Sequence, residues 1–501
     1  MTPGQNSYKS IFKSTFLFSF VRVFQIIAGI LRNKVIAILL GPEGLGIIGI
    51  LSNSVSLIQS GAGLGISQSA VRDISEANNS KDKDRFSRII SLTNKVILFT
   101  CLLGIIITIT LSPLLSKWTF GDNSYTIAYI WMALVVGLNI LTEGQLAILK
   151  GMRQLRALAK ASMIGSVVGL VTAVPMYYFF GKAGIVPSLI ITAFSAVFFS
   201  NYFVRKIKYD KTNFTLTEVK KEASPMVKMG FALMLVGFLG LLFDLVIAAY
   251  IRSHGGLDVV GYYRAGTTII SSYFGIVLTA MTVDYYPRIS AVHWDNHKLQ
   301  EELNRQSEVG LILIFPIAVL FVFLSPIIIQ ILYSKEFIQT IAYTDYAILG
   351  TIVIVCSNSM GMILLAKQEA KIFTIYSIVN NVLFIPMYFL FYNFYGLLGL
   401  GMSYLLNTLF QLFINGTIIH FKYKIELEKK LKILIAVIFI TVLITIFIRK
   451  IEILSLRYIL GILLFLFTCA YSYYFMKKTM NINIWEYLKN IQNEKNNKKN
   501  T

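Results

Sequence analysis

The sequence predicts an all-α, polytopic membrane protein of about fourteen transmembrane helices: two six-helix bundles from a duplicated unit, then two C-terminal helices. Three observations predict it. Hydrophobic residues make up 56% of the 501 positions and charged residues only 14%, against about 25% charged in soluble domains; mean hydropathy is +0.68. The apolar stretches are roughly 20 residues long, the length that crosses a bilayer as helix, and hydrocarbon excludes unpaired backbone. The third observation is an internal echo. Val174-Pro175-Met176-Tyr177-Tyr178-Phe179-Phe180 returns as Ile385-Pro386-Met387-Tyr388-Phe389-Leu390-Phe391, and Val35-Ile36-Ala37 returns as Val246-Ile247-Ala248, both at an offset of 211 residues. Two matches at one period indicate duplication. With an even number of spans per copy, the copies insert in the same orientation, as a parallel repeat.

The spans fall near 11–40, 47–70, 89–111, 125–149, 157–180, 185–204, 229–251, 259–283, 307–331, 341–365, 372–392, 397–419, 431–448 and 458–476. The first carries Arg22 and Gln25 and lacks a small-residue cleavage site, so it reads as a span rather than a cleavable signal. It is long because the repeat aligns Ala37 with Ala248. Residues 1–204 form the first bundle. The loop 205–228, with Arg205, Lys206, Lys208 and Lys211, joins the copies on the cytoplasmic side. Residues 229–419 form the second bundle. A basic hinge, Phe421 to Lys430, leads into helices 13 and 14 within 420–476, and 477–501 is a polar cytoplasmic tail.

A net charge of +21 raises the question of nucleic acid, but its distribution answers it. Lys and Arg concentrate in the loops on one side, with both termini there, and by the positive-inside rule that side is cytoplasmic. The basic loops then serve as topology signals and contacts for anionic headgroups of the phospholipid bilayer. No nucleic acid is needed. Cys101, Cys356 and Cys469 lie inside predicted spans and make no disulfide framework or CxxC pair. His293 and His297 sit in a loop with no third ligand, which reads as a solvated loop rather than a metal site. No P-loop, HExxH or GxSxG motif is present. The chain is therefore expected to be neither an enzyme nor a cofactor protein.

Ionisable residues within spans cost about 2.5–3.5 kcal/mol on insertion scales, so those that persist face a cavity or a partner. Arg22 is the leading candidate for a substrate cavity. At 100° per residue, Gln25, Gly29, Arg32 and Asn33 share its face. In the second span Asn53, Ser56, Ser60 and Ser67, with Gly49 and Gly63, share a face that serves either as cavity lining or as packing surface. Glu143, in the cytoplasmic half of the fourth span, is a partner for Arg22 or a proton-coupling carboxylate. Asp244 and Arg264 lie at similar depth in adjacent antiparallel spans. They either form an ion pair or leave Arg264 to meet an anionic substrate. Asn407, Gln411 and Asn415 form a weaker stripe that interhelical hydrogen bonding accounts for, and Lys95 can snorkel.

The first span runs into Gly41-Pro42-Glu43-Gly44-Leu45-Gly46, and the fourth ends in Ala147-Ile148-Leu149-Lys150-Gly151-Met152-Arg153. In order and spacing these resemble bacterial polysaccharide flippases, the O-antigen and enterobacterial-common-antigen translocases of the multidrug/oligosaccharidyl-lipid/polysaccharide exporter superfamily. The resemblance covers roughly residues 8–420 in layout and the first 160 in detail. It implies alternating-access flipping of an undecaprenyl-pyrophosphate-linked oligosaccharide, alongside a polysaccharide polymerase and chain-length proteins. The two extra spans are similar to the layout of lipid II flippases. A lipid with a dianionic pyrophosphate, a polar glycan and an apolar tail asks for a polar, cationic cavity between the copies with a lateral opening. The rivals are a multidrug or cation antiporter of the same superfamily, which favours an acidic cavity, and an integral-membrane polysaccharide polymerase or ligase. The short outer loops argue against the last.

Overall fold

The computed structural model describes residues 21, 23–80, 82–210, 212, 214 and 216–479. Arg22 and the tail beyond 479 lie outside the described residues. The described elements are helical: α1 (23–39), α2 (Gly41–Gly63), α3 (Ile66–Ser80), α4 (Lys83–Phe120), α5 (Thr126–Gly151), α6 (Leu155–Phe180), α7 (Ile185–Val204), α8 (Leu216–Thr268), α9 (Gly275–Ala291), α10 (Asn296–Leu332), α11 (Thr340–Ala366), α12 (Ala370–Tyr423), α13 (Lys429–Arg449) and α14 (Leu454–Thr479). A short π-helical segment, Ile269–Phe274, joins α8 to α9.

Ten helical stretches among the described residues are long and apolar enough to cross a membrane. Three of them, Leu155–Val204, Gly237–Thr279 and Lys371–Tyr423, are 50, 43 and 53 residues long. At 1.5 Å per residue each is about twice a bilayer's hydrocarbon thickness. Each is broken by a glycine at positive φ: Gly181 (φ 54°), Gly256 (φ 83°) and Gly396 (φ 59°). These three stretches therefore cross twice, and with α1 the total is the expected fourteen.

The second span differs in its limits from the hydropathy reading. It begins at Gly41 rather than 47, because Gly41 turns the chain at φ 65° and Pro42 takes the first-turn position where a missing N–H is harmless. It stops at Gly63, since Leu64 and Gly65 both adopt positive φ. Ser67 consequently belongs to α3, a separate 15-residue amphipathic helix too short to span.

The chain divides into two compact units. One runs to Ala265 and takes in Gln330–Ile338 and Asn381–Ile385; the other holds Gly266–Ile329, Gln339–Asn380 and everything from Pro386 onward.

Each unit contains a strap built in the same way. In the first, the chain after α7 lies along the start of α4. Ser87 Oγ accepts from the Asp210 amide at 3.2 Å, Ser91 Oγ accepts from the Thr212 amide at 3.1 Å, and Lys95 Nζ donates to Phe214 O at 2.7 Å. In the second, the chain after α12 lies along the start of α10. Asn296 Nδ2 donates to Tyr423 O at 2.9 Å, Gln300 Oε1 and Asn304 Oδ1 accept the Glu426 and Glu428 amides at 3.1 and 3.0 Å, and Glu308 pairs with Lys430 at 3.0 Å. In both, side chains four residues apart on one helix face satisfy backbone that has left its own helix.

Helix α13 is pinned within the second unit by a buried ion pair. Arg449 Nη1 and Nη2 donate to Asp345 Oδ1 and Oδ2 at 2.7 and 2.6 Å, and Nη1 also reaches Ser325 Oγ at 2.7 Å. Both side chains are only 10% exposed. Removing one partner strands the other charge in a low-dielectric site. Asp345→Leu or Arg449→Met alone should therefore destabilise the protein by about 3–5 kcal/mol. The double variant should recover most of that, as read by thermal unfolding in detergent; equal losses in all three would show that the pairing is not what stabilises α13.

Candidate functional site

Helix α2 is the centre of the polar site in the first unit, and glycine decides how closely it is approached at each end. A Cβ on Gly46 would lie 2.2 Å from Leu257 O, and one on Gly261 would lie 2.0 Å from Pro42 O. The Gly41–Gly46 motif is thus a surface on which the chain just after the Gly256 break packs backbone against backbone. One turn on, Gly49 makes room for Arg264: a Cβ there would sit 2.7 Å from the arginine's Cγ and Nε, and Arg264 Nη2 donates to Gly49 O at 2.9 Å. At the other end of α2, a Cβ on Gly65 would meet Gly230 O at 2.0 Å, and one on Gly230 would meet Leu64 O at 2.4 Å. Helix α2 is therefore clasped at both ends by segments of α8.

Toward the Gly65 end lies a polar chamber of about 260 Å³, lined among others by Ser56, Gln59, Ser60, Ser67, Gln68 and Glu143. Glu143 faces this chamber and makes no ion pair among the described residues. Deeper along α2, Asn53 is buried and its Nδ2 has no hydrogen-bond partner. Beside it Ser54 is fully buried in a hydroxyl chain, with the Tyr129 hydroxyl 2.9 Å from both Ser54 Oγ and Thr119 Oγ1. That chain is structural.

A second cavity, about 360 Å³, lies among α1, α5, α6 and α7. Gln25, Gly29 and Arg32 of α1 face Thr142, Ser162, Ser166 and Thr192 across it. The polar stripe read on the first span thus lines a space inside the first unit, although Asn33 is not among its lining residues. At the Gly41 end of α1, Lys34 Nζ donates to Gln330 O and Tyr333 O at 2.7 and 2.5 Å, capping carbonyls at the end of α10. Lys34 carried no role in the sequence reading, because a lysine near a span end is indistinguishable from a snorkelling one. Gln59 and Gln68 were also missed; Gln59 could have been found from its spacing to Ser56 on α2, whereas Gln68 lies on α3, beyond the break at Leu64 and Gly65. On the weaker stripe, Asn407 Oδ1 accepts from Asn380 Nδ2 across the Gly396 break and from Gln411 Nε2 one turn along its own helix, at 2.9 and 2.8 Å, so it is spent on structural bonding.

The sequence profile of the family described as "Polysaccharide biosynthesis protein" matches residues 35–342, a range that holds the Gly41–Gly46 motif, Glu143, Asp244 and Arg264. The chain belongs to that family. It is 24% identical over 176 residues to the lipid III flippase of Escherichia coli (strain K12), covering 33% of this chain and 40% of that protein. This chain thus spans two fifths of that relative's length. To a Shigella flexneri protein named for O-antigen transport it is 22% identical over 386 residues, 74% of this chain and 88% of the other. Among solved structures, the lipid II flippase MurJ in an inward closed conformation superposes with a TM-score of 0.71 at 15% identity, covering 92% of this chain and 100% of that one. An inward-facing MATE multidrug transporter of the MOP superfamily gives 0.66 at 14% identity, covering 84% and 98%. These likenesses establish a shared fold.

The glycine clasp generates a direct test. Gly261→Ala or Gly230→Ala inserts a methyl against backbone, which cannot swing aside, and overpacking of this kind costs about 1–3 kcal/mol. Gly29→Ala, where a Cβ meets nothing within 4 Å, should leave the melting temperature unchanged. Thermal unfolding of the three variants checks the contrast, and equal behaviour would show that the clasp yields without strain.

Proposed function

We propose that this protein flips an undecaprenyl-pyrophosphate-linked oligosaccharide, an O-antigen or similar repeat unit, from the cytoplasmic to the periplasmic leaflet of the bacterial inner membrane by alternating access. The observation that carries this reading is the polar chamber beside α2, lined by amides and hydroxyls within a membrane-embedded helix bundle. Amide and hydroxyl groups both donate and accept, as sugar hydroxyls do. At about 260 Å³ the chamber falls below the roughly 300–1,000 Å³ of ordinary ligand sites. An oligosaccharide therefore enters only when one of the glycine contacts at the ends of α2 parts. Two clasps bracketing one chamber are what alternating access requires, with one end opening while the other holds.

In this reading residues 1–204 and 229–419 are two copies of a six-helix unit, with 205–228 as cytoplasmic linker and helices 13 and 14 appended. The two straps support the duplication, because α4 and α10 are the third membrane-spanning helices of their copies and each holds the chain that leaves the sixth span. The basic loops support cytoplasmic termini. Arg22, Gln25, Asn33, Asn53 and Arg264 serve the substrate, and Glu143 and Asp244 couple its passage to protons. Polymerase and chain-length proteins act on the exported unit.

A cation antiporter is the second reading. The observation favouring it is Glu143, an acid facing the chamber without an ion-pair partner among the described residues. Proteoliposomes carrying a fluorescent lipid-linked oligosaccharide in one set and a cationic dye in another separate the two. Lipid flipping without dye uptake is expected; dye uptake without lipid flipping would replace the flippase reading. Within the flippase reading, Arg264→Gln should lower flipping more than Arg264→Lys does, because the charge is retained in the lysine. Asp244→Asn combined with Arg264→Gln should fold yet remain inactive. Full activity in that double variant would remove both residues from the mechanism.

A further inference from the structure

We propose that the cavity among α1, α5, α6 and α7 is an oxyanion-binding site built on Arg32, separate from the chamber beside α2. Arg32 lies seven residues before the end of α1 at 39, about 10 Å inside it at the helical rise, where an uncompensated charge is expensive. Two other guanidiniums within spans have answered that expense. Arg449 meets a carboxylate and a hydroxyl, and Arg264 meets the Gly49 carbonyl. Arg32 itself is half-buried, but its Nε is enclosed with no hydrogen-bond partner, and no carboxylate pairs with it among the described residues. The N-terminal residues 1–20 contain no Asp or Glu that could do so.

The cavity wall decides what fits. No acid lines it, so Arg32 gives it a net positive charge, and an anion is the only ligand that neutralises the guanidinium. The guanidinium fork matches phosphate or carboxylate, and the Gln25 amide and Ser162 hydroxyl supply further donors. Ser166 and Thr192 differ. Their hydroxyl protons are already given to Ser162 O at 3.0 Å and Ser188 O at 2.7 Å, so they offer lone pairs that accept from a ligand's hydroxyls. An oxyanion carried on a hydroxylated ring satisfies both halves, whether a sugar phosphate or a sugar carboxylate. Gly29 leaves the space beside Arg32 open, with nothing within 4 Å of a Cβ placed there.

For its physiological ligand this inference rests on the flippase reading, but binding is measurable without transport. The purified full chain in nanodiscs would be titrated with glucose 1-phosphate, glucuronate and glucose, following melting temperature and calorimetric heat. A saturable stabilisation by an anion but not by glucose is expected, weakened by about tenfold or more in Arg32→Gln and less in Arg32→Lys. Gly29→Leu, which fills the cavity without touching the charge, should abolish it too. Ligand-free Arg32→Gln should melt at or above the parent, because no partner is orphaned. A response to glucose 1-phosphate alone assigns the site to a phosphate, and a response to glucuronate assigns it to an acidic sugar. Equal anion responses in the parent and Arg32→Gln, no response to either anion, or Arg32→Gln melting well below the parent would each overturn the proposal. Since the readout is binding, these results are independent of whether lipid flipping is observed in vesicles.

Discussion

The contact on which the site depends is backbone against backbone. Helix α2 is met at one end by the chain around Leu257 and Gly261, and at the other by Gly230, at separations that admit no Cβ. In hydrocarbon, two helices gain nothing by hiding apolar surface from each other, since lipid is as apolar as either, so close dispersion packing over small residues holds them. Such contacts are strong only when near and are lost over an ångström or so. That makes them suited to holding α2 at two ends and releasing it at one. The chamber between them exists because α2 carries Ser56 and Ser60 on the same face as the glycines.

Charge within the membrane is handled in three ways, and the differences are informative. Asp345 and Arg449 are bidentate, buried and fully partnered, an arrangement that fastens α13 and leaves no capacity for a ligand. Arg264 is seated in the room left by Gly49 and donates to its carbonyl. Glu143 and Arg32 each face a polar cavity. The price of burying an ion is met in the first case by another ion.

The two straps do the same work with different side chains: Ser87, Ser91 and Lys95 in one unit, and Asn296, Gln300, Asn304 and Glu308 in the other. A hydroxyl, an amide and a carboxylate all satisfy a departing backbone or its basic side chain. Helix packing constrains position more than identity, so different side chains can do one job. The Pro175 and Pro386 phrases survive as sequence; both prolines lie within the first helix of a pair broken by a positive-φ glycine.

Hydropathy and length alone determined the all-helical class and the number of crossings, because hydrocarbon permits few other ways to satisfy a backbone. Periodicity determined that Gln25, Gly29 and Arg32 share a face, and that Ser56 and Ser60 do. What those faces meet was decided by tertiary structure. The stripe on α1 turns into its own bundle, Gly49 seats Arg264 rather than lining a cavity, and Arg449, one residue past the thirteenth predicted span, finds Asp345 more than 100 residues away. A sequence records which side chains share one helix face. Which neighbour that face meets is set by glycine approach distances and buried ion pairs between segments far apart in the chain, and no spacing within one helix encodes those.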